Sequence, residues 1–193
     1  MTTRKGQGVD GSKARAAAPR LTITISGARP PVASELRRIC RETLQREGIL
    51  RGRLDVAVVN AAVMRVLHRR WMSDDTPTDV LTFDLRDDPQ KKYVEAQLVV
   101  CESVARAAAR RNRGDWRREL ALYAVHGCLH LCGYDDRRVM DAARMHRRED
   151  EILTALGCGA VYHSPDSADL RRPAAEKNRR TVQASRRKLR KHR

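Results

Sequence analysis

The chain has 193 residues, of which 41% are hydrophobic, and a formal net charge of +16. This length suits one domain with a buried core. Its five cysteines show no paired framework, which favours a reducing cytosol over a secreted, disulfide-stabilised protein. The first residues lack the apolar core of a signal peptide, and no run approaches the ~20 apolar residues of a membrane span. We therefore expect a cytoplasmic protein without membrane contact.

The positive charge is concentrated at the two ends of the chain. Residues 1–20 carry a net charge of +4 and residues 164–193 a net charge of +8, which leaves +4 for the segment between them. Both ends are poor in large apolar residues, so we expect two disordered basic tails around one folded domain at residues 21–163. Such tails favour a polyanionic partner, most simply nucleic acid, although a purely solubilising role is the alternative.

The hydrophobic pattern predicts strands and helices that follow one another along the chain. Strands are expected at 21–26, 54–59, 79–84 and within 94–101, and helices at 32–46, 61–67, 102–111 and 137–156, with a further helix beginning after Asp115. The charged segment 68–77 is predicted to be a loop. The fold class is thus α/β (α+β), a single domain with a mixed sheet of about four strands packed by helices. The strand order cannot be read from the pattern.

Two histidines mark the most informative stretch of the chain. His126 and His130 are four residues apart after an apolar helical run, so both imidazoles lie on one helix face. Gly133 can end that helix and turn the chain. The turn would bring Asp135 or Asp136 back to the histidines, whereas an unbroken helix would carry Asp136 about 15 Å along the axis from His126.

The same residues have a purely structural interpretation, with two core histidines followed by an ordinary helix cap. The helix stop and the two carboxylates at the right distance favour a metal. We predict that His126, His130 and Asp136 bind one Zn²⁺, with Asp135 as the next candidate for the third ligand and a water in the fourth position. Cys128 and Cys132 fall about 200° around the helix from the histidines and are expected to pack in the core.

A zinc ion in such a site can acidify water and polarise a phosphoryl oxygen, which are the two requirements of phosphodiester hydrolysis. The metalloprotease pattern His-Glu-x-x-His has its general base after the first histidine, and Gly127 stands there instead. Asp135 could orient a histidine, accept a proton or cap the turn. The sequence identifies no catalytic base.

The stretch His126 to Asp135 resembles the signature of the YbeY-type single-strand endoribonucleases, His-Gly-x-Leu-His-Leu-x-Gly-Tyr-Asp-His. A second family block appears as Asp75-Thr-Pro-Thr-Asp-Val-Leu-Thr-Phe83, and similarity extends over about residues 21–157. The family has a third histidine where this chain has Asp136. It often has a functional arginine where this chain has Met72.

The resemblance implies a metal-dependent endoribonuclease that acts on single-stranded ribosomal RNA. It implies maturation of the 3′ end of 16S rRNA, ribosome quality control, and ribosomal RNA and ribosomal particles as partners. The alternative is a non-enzymatic, zinc-containing ribosome-assembly or RNA-binding protein, which a fourth protein ligand to the metal would favour. Arg69 and Arg70 could supply cations from the predicted loop, and Trp71 could stack on a base or pack in the core.

Overall fold

A computed structural model of the chain describes residues 20–162. Apart from Arg20, the predicted tails at 1–20 and 164–193 lie outside this range, so their disorder and the domain limits stay predictions. None of the helices in the described range has the length and apolar character needed to cross a bilayer.

Residues 20–162 contain nine helices and strands. They are β1 (Leu21–Ser26), α1 (Pro30–Arg46), β2 (Gly52–Val59), α2 (Ala61–Met72), β3 (Val80–Asp84), β4 (Val94–Cys101), α3 (Glu102–Asn112), α4 (Trp116–Leu131) and α5 (Val139–Ala155). Five helices and four strands confirm the predicted α+β class.

The four strands form one mixed sheet in the order β1-β2-β4-β3. The first three strands in that order are parallel, and β3 pairs antiparallel with β4 at the edge. In β1, Leu21 and Ile23 are buried and Thr22 and Thr24 are exposed, as their alternation predicts. The parallel strands place the ends of β1 and β2 at a common sheet edge.

Helices cover the two faces of the sheet unequally. The larger hydrophobic core lies between one face and helices α1, α4 and α5. The smaller core lies on the opposite face under α2, around Met64, Leu81 and Phe83. Successive residues of a strand point to opposite faces, which is why Val80 belongs to the larger core and Leu81 to the smaller.

Helix α2 extends further than the sequence predicts. The predicted loop at 68–77 is wrong for its first five residues, because the helix continues to Met72 and ends with Ser73 in the left-handed region. His68 lies one turn after Met64 and is buried with it, and the Trp71 ring packs edge-on against Phe83, 5.5 Å between centroids. These inward contacts stabilise the last turn despite the surrounding charges.

Helix α4 is almost wholly buried, with only four of its sixteen residues at the surface to any degree. It packs against α1, α3, α5 and the sheet. It lies close to the sheet at Gly127, where an added Cβ would lie 2.2 Å from Leu98 Cδ1, 3.0 Å from Thr82 Oγ1 and 3.2 Å from Val80 Cγ2. Only glycine allows the helix to lie at this depth.

This contact predicts the effect of a single methyl group. We expect Gly127→Ala to lower the free energy of unfolding by about 1–2 kcal/mol, because overpacking outweighs the ~1 kcal/mol helical preference for alanine. Urea denaturation measures the change. Gly114→Ala is the matched control, since a Cβ there meets nothing within 4 Å. Equal stability of the two variants would contradict the close contact.

Candidate metal centre

The C-terminus of α4 is shaped by an αL turn at Gly133. Gly133 has φ +91°, and its N–H donates to the His130 carbonyl while the Tyr134 N–H donates to the Leu129 carbonyl. This pattern ends the helix and reverses the chain. The predicted helix stop is therefore present, and the following residues return towards the histidines.

Three side chains converge at this reversal, namely His126, His130 and Asp136. The two Nε2 atoms are 3.0 Å apart. Asp136 Oδ2 lies 3.6 Å from His126 Nε2, and Asp136 Oδ1 lies 3.8 Å from His130 Nε2. One ligand atom from each residue falls within 4.8 Å of the others, so the group could hold a metal ion.

Hydrogen bonds on the far side of each ring decide which nitrogens face the group. His130 Nδ1 donates to the Tyr134 carbonyl at 3.0 Å, since a carbonyl only accepts. His126 Nδ1 donates to the Glu149 carboxylate at 2.6 Å. A neutral imidazole with its proton on Nδ1 carries its lone pair on Nε2, so two lone pairs and a carboxylate point into one space. Their mutual repulsion is relieved by a cation, and the residues therefore fit a metal.

The site also keeps His130 uncharged near neutral pH. Burial and the neighbouring His126 ring lower the pKa of His130 to about 4. Its Nε2 lone pair is then available as a ligand without loss of a proton.

Glu149 of α5 contacts the metal group, and the motif did not reveal it. It is fully buried, and its Oε1 holds His126 while its Oε2 lacks a hydrogen-bond partner among residues 20–162. A carboxylate behind a ligating histidine fixes the ring and raises its basicity. The sequence did contain a signal, because Glu149 interrupts the apolar face formed by Met145 and Ile152.

Arg86 ties the end of α4 to strand β3. Its guanidinium donates to the Asp84 carboxylate at 2.6 Å and to the Leu131 carbonyl at 2.8 Å. Both side chains are only 5% exposed, and hydrogen bonds to Asp84 raise the pKa of Arg86. Arg86 thereby satisfies one of the carbonyls left free at the helix end, next to His130.

Asp135 is outside the metal group and caps the turn. Its carboxylate accepts hydrogen bonds from the backbone N–H groups of Asp136 and Arg137 and from the Arg137 guanidinium. The Arg137 hydrogen bonds lower the pKa of the Asp135 carboxyl to about 2, which makes it a poor proton acceptor. Of the two aspartates considered for the third ligand, the structure brings Asp136 to the group.

The cysteines of α4 lie outside the metal group. Cys128 is fully buried in the larger core, where a thiol hydrogen bond with Cys40 and burial raise its pKa. Burial raises the pKa of Cys132 to about 12. Gly127 likewise faces the sheet rather than the histidines, so the position of the protease glutamate has no room for a side chain here.

The remaining site candidates lie on α2. Arg69 pairs with Asp75 at 3.7 Å, and the Arg70 guanidinium lies 5.7 Å from the Trp71 ring centroid. Met72 packs at the edge of the smaller core. Helix α2 therefore covers the face of the sheet opposite α4.

The fold and this group define a class, namely α+β proteins with two histidines on a buried helix and, beyond its terminal turn, a carboxylate with which they could hold a metal ion. Residues 24–157 match the family model described as Endoribonuclease YbeY, and the chain belongs to this family. Its members are endoribonucleases, hydrolases that cleave phosphodiester bonds within RNA.

Individual relatives agree with this assignment. Endoribonuclease YbeY of Anaeromyxobacter sp. (strain Fw109-5) is 34% identical over 140 residues, covering 71% of this chain and 73% of the relative. The Chlorobium luteolum protein of the same name is 37% identical over 123 residues, covering 61% of this chain and 86% of the relative. A solution structure of a Thermotoga maritima protein has a TM-score of 0.52 at 24% identity and covers 79% of this chain and 99% of that protein. That likeness supports the fold.

The two neighbouring aspartates provide a matched test of the ligand set. We expect Asp136→Asn to weaken metal binding by more than about 100-fold, because it removes an anionic ligand. Changing a residue that only supports a ligand typically costs about 10–100-fold. Asp135→Asn should cause a much smaller loss. Competition titration with a chelating dye measures both affinities. Equal losses, or a larger loss in Asp135→Asn, would show that the third ligand is misassigned.

Glu149 should affect the metal through His126. We expect Glu149→Gln to lower metal affinity about 10–100-fold, since the neutral amide no longer favours the Nδ1-protonated ring. The same titration measures it, with the fold monitored by circular dichroism. Glu151→Gln on the same helix, where the side chain is 53% exposed, is the control. Wild-type affinity in a folded Glu149→Gln protein would exclude this role.

Proposed function

We propose that this chain is a single-strand-specific metallo-endoribonuclease that acts in ribosomal RNA processing. The proposal includes maturation of the 3′ end of 16S rRNA and a part in ribosome quality control. Membership of the YbeY family supports the RNA-cleaving activity. The specific ribosomal role follows from the family resemblance and from the excess of positive charge, +16 over the whole chain.

One observation carries the metal-dependent part of this proposal, namely the convergence of two Nε2 lone pairs 3.0 Å apart on one carboxylate. Two imidazoles and a carboxylate are a donor set that suits Zn²⁺. We propose His126, His130 and Asp136 as its ligands and zinc as the ion. When bound, zinc supplies Lewis-acid polarisation of a phosphoryl oxygen and activation of water.

The residues around the ligands would keep this geometry fixed during the reaction. Glu149 holds the His126 ring from behind, the Tyr134 carbonyl holds the His130 ring, and Arg86 holds the end of the helix between β3 and α4. Preorganised ligands of this kind do not have to rearrange when substrate binds. No general base is assigned, and the low pKa of Asp135 argues against that residue.

A non-enzymatic zinc protein is the second candidate, and it would need a fourth protein ligand. Among residues 20–162, the metal group contains three side chains, and the raised pKa values of Cys128 and Cys132 oppose thiolate ligation. A three-residue group with one position for water or substrate supports the enzyme.

The surroundings of the site fit a polyanionic substrate. Arg137 and Arg138 are exposed directly after Asp136. The basic tails at 1–20 and 164–193 are proposed to add sequence-independent attraction to RNA and ribosomal particles around a domain at 21–163. We place this activity in the cytoplasm, where ribosomal RNA is processed.

A cleavage assay tests the function. Purified, metal-loaded protein should cut single-stranded RNA, and His130→Ala should lose both the metal and at least about 100-fold in rate, because metal-assisted steps contribute several kcal/mol. His146→Ala is the control, since His146 stacks on Tyr162 and is not part of the metal group. If metal-free His130→Ala cleaved RNA at the wild-type rate, the metal-dependent mechanism would be refuted.

A further inference from the structure

Several arginines lie on α3 and at the junction where α3 ends and α4 begins, and two of them contact the Trp116 ring. We call Arg106, Arg110, Arg113 and Arg117 the arginine surface. On α3, Arg106 and Arg110 are one turn apart and opposite the buried Ala105, Ala108 and Ala109. The four arginines are exposed, whereas Trp116 is half-buried against the larger core.

Trp116 and Glu102 hold part of this surface in place. The Arg106 guanidinium lies 3.8 Å from the Trp116 ring centroid, and its Nε donates to Glu102 at 2.7 Å. The Arg117 guanidinium lies 5.8 Å from the same ring. Such cation–π contacts orient a guanidinium while leaving most of its N–H donors available to an anion.

Most of the charge in this surface is not neutralised. Within residues 20–162, Arg110, Arg113 and Arg117 form no ion pair, and the nearby Asp115 uses its carboxylate to cap the Arg117 N–H. Arg113 also occupies the left-handed region at φ 52°, where glycine is favoured, although Gly114 follows it directly. In the part of the chain that the structure describes, three guanidinium groups on α3, at its C-cap and at the start of α4 thus have no ion-pair partner.

The helix dipoles account for the arginines at the end of α3 but not for Arg117 at the start of α4. Cations at the C-terminus of α3 are favoured by its dipole, which accounts for Arg110 and Arg113. At the N-terminus of α4 the dipole has the opposite sign, so the positive charge of Arg117 is unfavourable there. The Arg117 guanidinium nevertheless lies near the Trp116 ring, which Arg106 also contacts. An anionic partner would stabilise all of these charges together.

The arginine surface lies away from the metal group. Trp116 begins α4 and the histidines end it, so a rise of ~1.5 Å per residue separates Trp116 from His126 by about 15 Å and from His130 by about 21 Å along the axis. An RNA strand held at both places would have to span at least this distance over the surface of the protein. A substrate confined to the histidines would not reach the arginines.

We propose that the arginine surface is a second RNA-binding surface, which holds the phosphate backbone of RNA away from the cleaved bond. This inference rests on the proposed function, since it takes RNA as the substrate. It assigns the surface a role in the affinity for long RNA and none in the chemical step. Guanidinium groups spaced around a junction suit successive phosphates, and the contact carries no base preference.

The test uses the full chain with Arg110→Gln, Arg113→Asn and Arg117→Gln combined, because asparagine tolerates the left-handed conformation at position 113. The control combines Arg29→Gln, Arg51→Gln and Arg65→Gln, which removes the same number of charges from exposed positions before α1, before β2 and on α2. Each protein is given a long single-stranded RNA and an oligonucleotide too short to reach from the histidines to Trp116.

We expect the triple variant to bind the long RNA more weakly and to reduce the slope of log affinity against log salt by about 2, at ~0.7 per lost phosphate contact. The KM for long RNA should rise, while kcat and cleavage of the short oligonucleotide stay at the wild-type values. The control variant should change the slope by less than half as much.

Three results would overturn the inference: an unchanged slope in the triple variant, an equal change in the control variant, or an equal loss of activity on the short oligonucleotide. The proposed function fails separately if wild-type protein neither binds nor cleaves either RNA, and the inference then fails with it. If wild-type protein cleaves RNA and the triple variant binds long RNA with the same affinity and salt dependence, only the inference of a second surface fails.

Discussion

The close contact of α4 with the sheet at Gly127 is the constraint on which the site depends. Leu98, Thr82 and Val80 leave no room for a Cβ at this position, so the helix lies against strands β3 and β4 without an intervening side chain. His126 precedes Gly127 directly and is therefore buried beside the sheet, within reach of Glu149 on α5. The depth of the helix sets the position of both imidazoles, since they share its rigid backbone.

The geometry of the metal group comes from partners outside the helix. Glu149 belongs to α5, and Arg86 follows β3 and holds the Leu131 carbonyl. The Tyr134 carbonyl belongs to the turn that Gly133 makes possible. Each partner constrains a different degree of freedom, namely the rotation of one ring, the position of the helix end and the rotation of the other ring. The three side chains are thereby held in position without an ion, which would lower the ordering cost of binding one.

Two departures from the family pattern have different physical consequences. Asp136 in place of a histidine puts an anionic oxygen in the proposed metal group, which would lower the net charge of a bound metal centre and favour harder ions. Met72 in place of an arginine removes a cation and adds apolar surface to the smaller core. Within residues 20–162, an exposed arginine without an ion pair remains at Arg138, next to the turn that follows α4, whereas Arg137 is bound by Asp135.

The sequence alone determined the α+β class, the approximate limits of most elements and the pairing of His126 with His130 on one helix face, because these depend on local periodicity and on spacing along one helix. The end of α2 could not be predicted, since the burial of His68 and the packing of Trp71 on Phe83 outweigh a run of polar residues. Only the tertiary structure decided between Asp135 and Asp136, because both follow Gly133 and the difference is which carboxylate Arg137 binds. Glu149 and Arg86 also required it: they lie far from the histidines in sequence, and only packing of α5 and β3 against α4 brings them to the site.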